Sequence, residues 1–190
     1  MLEAAFARAL EDLIDCLEAV GVPYAVTGSV ASGIHGRPLT SIDVDLIVEM
    51  TQGQARALAE KLPAHFYRSE AAMVQACQAP GIANVIDQRS SLKIDLSVME
   101  PGPFRKSIMS RVQTVELGST GLSLRVVSAE DVILMKLLWR KGSQSRKQWE
   151  NALDVVRVQG ARLDWAYLHR WAEKLKLAED LDALRNEAGV

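Results

Sequence analysis

Asp43-Val44-Asp45 puts two carboxylates two residues apart in a stretch that alternates between apolar and polar positions. On a strand, residues i and i+2 project from one face. Asp43 and Asp45 therefore point together, while Val44, Leu46 and Val48 point the other way. Two carboxylates so placed can reach one hard divalent cation or a close pair of them, and the cation offsets the cost of gathering the charges. An edge strand with a solvated acidic face has the same pattern, and spacing alone does not separate the two. A third carboxylate, Asp95, lies in a second alternating stretch. There Leu92, Ile94, Leu96 and Val98 form one face; Lys93, Asp95 and Ser97 form the other. Upstream, Gly28-Ser29 follows a short apolar run and opens a stretch of small, helix-compatible residues. Glycine permits close backbone approach, and a serine hydroxyl with helix N-terminal amides can hold a phosphate. A plain strand-to-helix turn capped by serine uses the same two residues. Taken together, three carboxylates and a Gly-Ser cradle describe a two-metal site for phosphoryl chemistry.

Gly28-Ser29, a gap of 13 residues, Asp43-Val44-Asp45 and a later Asp95 resemble the signature of the nucleotidyltransferase superfamily related to DNA polymerase β. Within it the chain is most similar to the small bacterial nucleotidyltransferases of the AbiEii-type toxin group, over about residues 15–140. The resemblance implies an α+β fold, the nucleotidyltransferase fold, with a mixed β-sheet flanked by helices and followed by a C-terminal helical segment. It implies that Asp43 and Asp45 bind two Mg²⁺ ions and that Asp95 binds the ion activating the acceptor hydroxyl. Gly28 and Ser29 would hold the β- and γ-phosphates of a nucleoside triphosphate. The acceptor, whether tRNA or another RNA, a protein or a small molecule, would attack the α-phosphorus in line, with pyrophosphate leaving. Lys136 interrupts the apolar run Val132 to Leu138 and corresponds to a lysine placed toward the triphosphate. On its residues alone it is equally a lysine whose stem covers apolar surface while its ammonium reaches water. The toxin group adds an antitoxin protein as partner.

Two departures from that pattern stand in the sequence. Leu39 occupies the position before the Asp pair where relatives carry arginine, with Arg37 two residues earlier. The segment Lys147 to Asp154 matches the group's Lys-Asp-x-x-Asp-like motif only at Asp154. They motivate a second reading, a non-catalytic nucleotide- or partner-binding module that keeps the fold. A two-metal phosphohydrolase would use the same carboxylates but lacks the histidines such sites often add. His35, His65 and His169 have no metal-ligand spacing.

The elements that must position these residues are legible from periodicity. Leu2, Phe6, Leu10, Leu13, Ile14, Leu17 and Val20 form one helical stripe, ended near Gly21-Val22-Pro23. Tyr24-Ala25-Val26 reads as a strand, the stretch to His35 as a helix, and residues 42–48 as a strand. Helices are predicted at 52–61 and 70–78, and a strand pair at 82–87 and 91–98 around Gln88-Arg89-Ser90. Pro101-Gly102-Pro103 reads as a loop, and 111–117 with 121–127 as a hairpin around Gly118-Ser119-Thr120. Ser128, three residues before Asp131, caps a helix through Arg140; further helices follow at 145–158, 164–175 and 178–187. The division is thus an α/β core (1–127) and a helical region (128–190). Five bases and no acid lie between Lys136 and Lys147. Such a run can grip a triphosphate or RNA backbone, or form a solvated helical corner.

Composition sets the outer bounds. The 190 residues are 48% apolar and 24% charged, ordinary for a folded domain, with a net charge of −2. A dedicated duplex-DNA binder is more basic than this. Two cysteines cannot make a disulfide framework, and a cytoplasmic location with reduced thiols is the expectation. The N-terminal stretch carries Glu3, Glu11, Asp12 and Asp15 and lacks the plan of a signal peptide.

Overall fold

The structure is a computed structural model and describes residues 2–38, 43–117 and 121–190. Leu39, Ile42 and the hairpin turn Gly118-Ser119-Thr120 lie outside the described residues. The chain forms two compact units, one of residues 1–26 and 41–126, the other of 27–40 and 127–190.

The first unit is built on a seven-stranded sheet in the order β3-β4-β5-β2-β1-β7-β6. Its strands are β1 (Tyr24–Thr27), β2 (Asp43–Val48), β3 (Phe66–Arg68), β4 (Ile82–Asp87), β5 (Leu92–Val98), β6 (Gln113–Leu117) and β7 (Leu122–Val126). The sheet is mixed. β2 runs parallel to β5 and β1 to β7. The β3–β4, β4–β5 and β6–β7 pairs are antiparallel. On β2, β4 and β5 one sheet face is buried, at Ala83, Val85, Leu92, Ile94, Leu96, Val98, Val44, Leu46 and Val48, with Phe66 of β3 beside it. Among the described residues, the helices of this unit are α1 (Leu2–Ala19), α3 (Gln52–Lys61), α4 (Glu70–Gln78) and α5 (Pro103–Ser110). α1 packs on α3, α3 on α4, and α4 on β4 and β5. The apolar stripe expected on α1 is buried at Leu10, Leu13, Ile14 and Leu17.

Two of these elements differ from the sequence expectation. Pro101-Gly102-Pro103 does not simply mark a loop, because Pro103 is the first residue of α5. Proline suits that position, where its missing N–H would have had no intrahelical partner. The three-residue β3 has no counterpart in the periodicity, since three residues are too few to show an alternation.

The second unit is helical. It comprises α2 (Gly28–His35), α6 (Ala129–Ser143), α7 (Arg146–Gln159), α8 (Trp165–Leu175) and α9 (Ala178–Ala188), with a 3-10 turn at Gly160–Arg162. α6 is its centre, buried at every residue from Ala129 to Leu137 and packed on α2, α7 and α8. The expected cap is present: Ser128 Oγ accepts from the Asp131 amide (3.2 Å) and donates to Asp131 Oδ2 (2.7 Å). Tyr167 donates its hydroxyl to Asp131 Oδ1 at 2.6 Å and ties α8 to that cap. α2 groups with these helices rather than with the sheet. The cause is local: α2 is in contact with α6 and α7.

Cys16 and Cys77 are free thiols. Among the described residues, no helix is long and apolar enough to cross a membrane.

Candidate functional site

In the first unit, the parallel register pairs Asp43 with Lys93 and Asp45 with Asp95. Residues paired in register share a face, so all three predicted carboxylates stand on one side of β2 and β5, opposite the buried apolar side. Asp43, Lys93, Asp45 and Asp95 are each half-buried. The alternation that each strand shows alone is thereby combined into one polar patch. The pairing itself decides this, because a slip of one residue would send every side chain of a strand to the other face.

Two further residues complete the patch. Lys93 donates from Nζ to Asp95 Oδ2 at 2.8 Å, and Asn84 donates from Nδ2 to Asp95 Oδ1 at 2.5 Å. Asn84 stands opposite Asp95 in the β4–β5 register. Both oxygens of Asp95 therefore accept hydrogen bonds from the protein. The bond to Asp95 holds the Lys93 ammonium above the ordinary lysine range, against the opposing effect of desolvation. The charges of Asp95, Asp43 and Asp45 act in the same direction. Sequence reasoning placed Lys93 on this polar face without giving it a role. The signal was its position two residues before Asp95. Asn84 carried no signal, since its place opposite Asp95 depends on strand register.

As a donor set, carboxylates from neighbouring strands suit a hard divalent cation such as Mg²⁺. Among the described residues, however, no three His, Cys, Asp or Glu side chains converge closely enough to hold an ion. The two observations meet at Asp95, whose oxygens are engaged by Lys93 and Asn84. The donors suit such an ion in chemistry and share one sheet face.

In the second unit, Gly28 opens α2 with a φ of 65°, in the left-handed region that glycine adopts without steric cost. Thr27 occupies the N-cap position but makes no capping bond to the helix. Its hydroxyl lies 3.6 Å from the Met135 sulfur instead. Ser32 Oγ donates to the Gly28 carbonyl at 2.7 Å. The first-turn amides of α2 thus take no bond from the Thr27 side chain, and Ser29 beside them is half-buried. That arrangement can receive an anion.

Lys136 is buried, 3% exposed as a whole residue. Its Nζ lies 5.4 Å from the centre of the Trp139 ring. Other members of the basic run are committed within the unit. Arg140 pairs with Asp180 at 3.0 Å and stacks on Trp149. Lys141 donates to the Lys176 carbonyl at the end of α8 at 3.2 Å, and Arg146 pairs with Glu150 at 2.8 Å. Asp154, the one match in the Lys147 to Asp154 segment, faces Arg37 at 3.6 Å. His35, which the sequence left without a role, is a structural residue: its Nε2 lies 2.7 Å from the Val127 carbonyl oxygen.

No protein-family model matches the sequence, and none of the curated proteins does. Among solved structures, the chain is similar to the antibiotic-resistance factor ANT(2'')-Ia, with a TM-score of 0.51 and 11% identity. That similarity covers 94% of this chain and 97% of the other. The mixed β-sheet with its helices, followed in the chain by C-terminal helices, is the expected fold class, and the likeness to this structure is one of fold. A putative nucleotidyltransferase from Thermotoga maritima aligns with a TM-score of 0.48 and 18% identity, over 80% of this chain and 96% of that one. A nucleotidyltransferase-like antigenic protein from Paracoccidioides brasiliensis aligns with a TM-score of 0.48 and 16% identity, over 95% and 88%. At such identities the likeness is one of fold.

Proposed function

We propose that the protein is a Mg²⁺-dependent nucleotidyltransferase that moves a nucleoside monophosphate from a triphosphate to an acceptor hydroxyl. The observation that carries this reading is the common face of Asp43, Asp45 and Asp95 on two parallel strands in register. Asp43 and Asp45 would hold two Mg²⁺ ions, with Asp95 a ligand of the ion nearer the acceptor. When bound, the ions neutralise charge on the attacking and leaving oxygens. The α2 amides and the Ser29 hydroxyl would donate to the β- and γ-phosphates, and the buried Lys136 would offset triphosphate charge. The acceptor oxygen bonds to the α-phosphorus as its hydroxyl loses a proton. The bond from that phosphorus to the bridging oxygen breaks, and pyrophosphate leaves. The protein's own contribution is then chiefly orientation. The resemblance to the AbiEii-type group adds a toxin role with a tRNA or other RNA acceptor and an antitoxin protein partner, and two free thiols suit a cytoplasmic setting.

Incubation with Mg²⁺, each labelled nucleoside triphosphate and a tRNA pool tests this directly, self-labelling included. Label transfer should occur with the wild type and fall by at least about 100-fold in Asp43→Asn, in keeping with the loss of transition-state charge stabilisation. Absence of transfer with every triphosphate and acceptor class would sink the proposal. One observation favours the non-catalytic module instead: both Asp95 oxygens already have protein donors. Calorimetry and label transfer together separate the two: metal-dependent triphosphate binding that vanishes in Asp43→Asn favours the enzyme, and such binding with no transfer to any acceptor favours the module.

A further inference from the structure

Three carboxylates on one sheet face repel one another in the absence of a counter-charge. Lys93 supplies such a counter-charge. It lies in register with Asp43, two residues from Asp95 on the same face, and donates to Asp95 Oδ2 at 2.8 Å. Its ammonium also interacts electrostatically with Asp43 and Asp45. The Lys93 side chain is 40% exposed, whereas that of Asp95 is 16% exposed. The lysine can therefore withdraw toward water on its flexible stem, while the carboxylate is confined by the strand and by Asn84. A mobile cation paired with a fixed carboxylate occupies the position that a divalent ion would need.

We propose that Lys93 is a tethered counter-cation that competes with the divalent ion for this carboxylate patch, so that ion binding requires Lys93 to leave Asp95. This rests on the reading of Asp43, Asp45 and Asp95 as metal ligands and adds a residue that sets the strength of their grip. In the metal-free chain Lys93 offsets the repulsion and Asn84 holds the other Asp95 oxygen. Entry of the ion exchanges the ammonium for a stronger cation. The cost of that exchange lowers the affinity for the ion.

Mn²⁺ alone is the probe, titrated into the full chain by calorimetry and followed independently by the ion's paramagnetic resonance signal. A nearby charge shifts a carboxylate's affinity for a proton by about one to three powers of ten. Lys93→Gln should therefore tighten Mn²⁺ binding by about tenfold or more, while Lys93→Arg, which keeps the charge, stays near the wild-type value. Lys93→Met should behave as Lys93→Gln and serves if the glutamine variant folds poorly. In chelator, Lys93→Gln should melt below the wild type, and Mn²⁺ should raise its midpoint by more. A Lys93→Gln affinity within twofold of wild type overturns the proposal but leaves the metal-site reading intact. Equal tightening in Lys93→Arg overturns it too, since size rather than charge would then be responsible. If neither the wild type nor any variant takes up Mn²⁺ at millimolar concentration, the metal-site reading fails and this proposal fails with it.

Discussion

The imidazole of His35 is 7% exposed, with Nε2 against the Val127 carbonyl and its own carbonyl accepting from Gln159 Nε2 at 2.6 Å. The hydrogen bond to a carbonyl identifies Nε2 as the protonated nitrogen. Burial pushes the His35 pKa below the ordinary histidine value, outweighing the opposing effects of the Val127 bond and of Glu130. The folded chain therefore resists a second proton that the unfolded chain accepts. Stability is full above the unfolded-state pKa and is lost as the pH falls below it. Urea midpoints at about pH 7.5 and about pH 5.5 should show a drop in the wild type that is smaller in His35→Gln. The glutamine keeps an N–H donor and removes the titration. An equal drop in both would mean that His35 does not couple folding to pH. Residues such as Asp43, Asp45 and Asp95 were legible because their own strands alternate. His35 and Asn84 were not, because their partners lie on other elements and only the fold brings them together.

At the scale of elements, the patch depends on how β4 meets β5. Their turn is clamped by Asp87, 1% exposed, whose Oδ2 accepts from the Ser90 amide at 3.1 Å and the Ser90 hydroxyl at 2.5 Å. Its Oδ1 accepts from Arg89 Nε at 3.1 Å. Burial alone would raise the Asp87 pKa; the bonds from Ser90 and Arg89 overcome it and hold the carboxyl below its usual range. This contribution is present above the carboxylate range and is lost in acid. The clamp sets the register in which Asn84 opposes Asp95. Asp87→Asn puts an N–H group where one oxygen accepted, and should cost about 1–3 kcal/mol in urea unfolding. A loss below about 0.5 kcal/mol, the level of an ordinary surface change, would show that the turn holds its register without the carboxylate. The strand pair was legible because residues 92–98 alternate and the polar turn Gln88-Arg89-Ser90 separates them from the largely apolar run before it. β3 and α5 were not: β3 is too short for a period, and Pro103 signals a break as readily as a helix start. The clamp itself was invisible, since a carboxylate ending a strand looks like any solvated acid.

Across the whole molecule, the helix bearing Gly28 and Ser29 belongs to the unit formed by the C-terminal helices, although sequence places it between two strands of the sheet. Ties from it and the residues just after it run to that part of the chain: His35 to Val127 and Gln159, and Arg37 to Asp154. Gly36 lies so close to α7 that an added Cβ would come within 3.1 Å of the Val155 nitrogen. The order of elements could not reveal this, because α2 and α7 are far apart in sequence. Compact units of this kind open separately below the global transition. Val155, fully buried on α7, tests the point. Val155→Ala removes two methyl groups from the core and should destabilise its unit by about 1–3 kcal/mol. Native-state hydrogen exchange on the full chain should then show faster opening at 28–35 together with α6 and α7. Protection of β2 and β5 should change much less. If residues 28–35 instead keep the protection of the strands while α7 loosens, the grouping of α2 with the C-terminal helices is wrong.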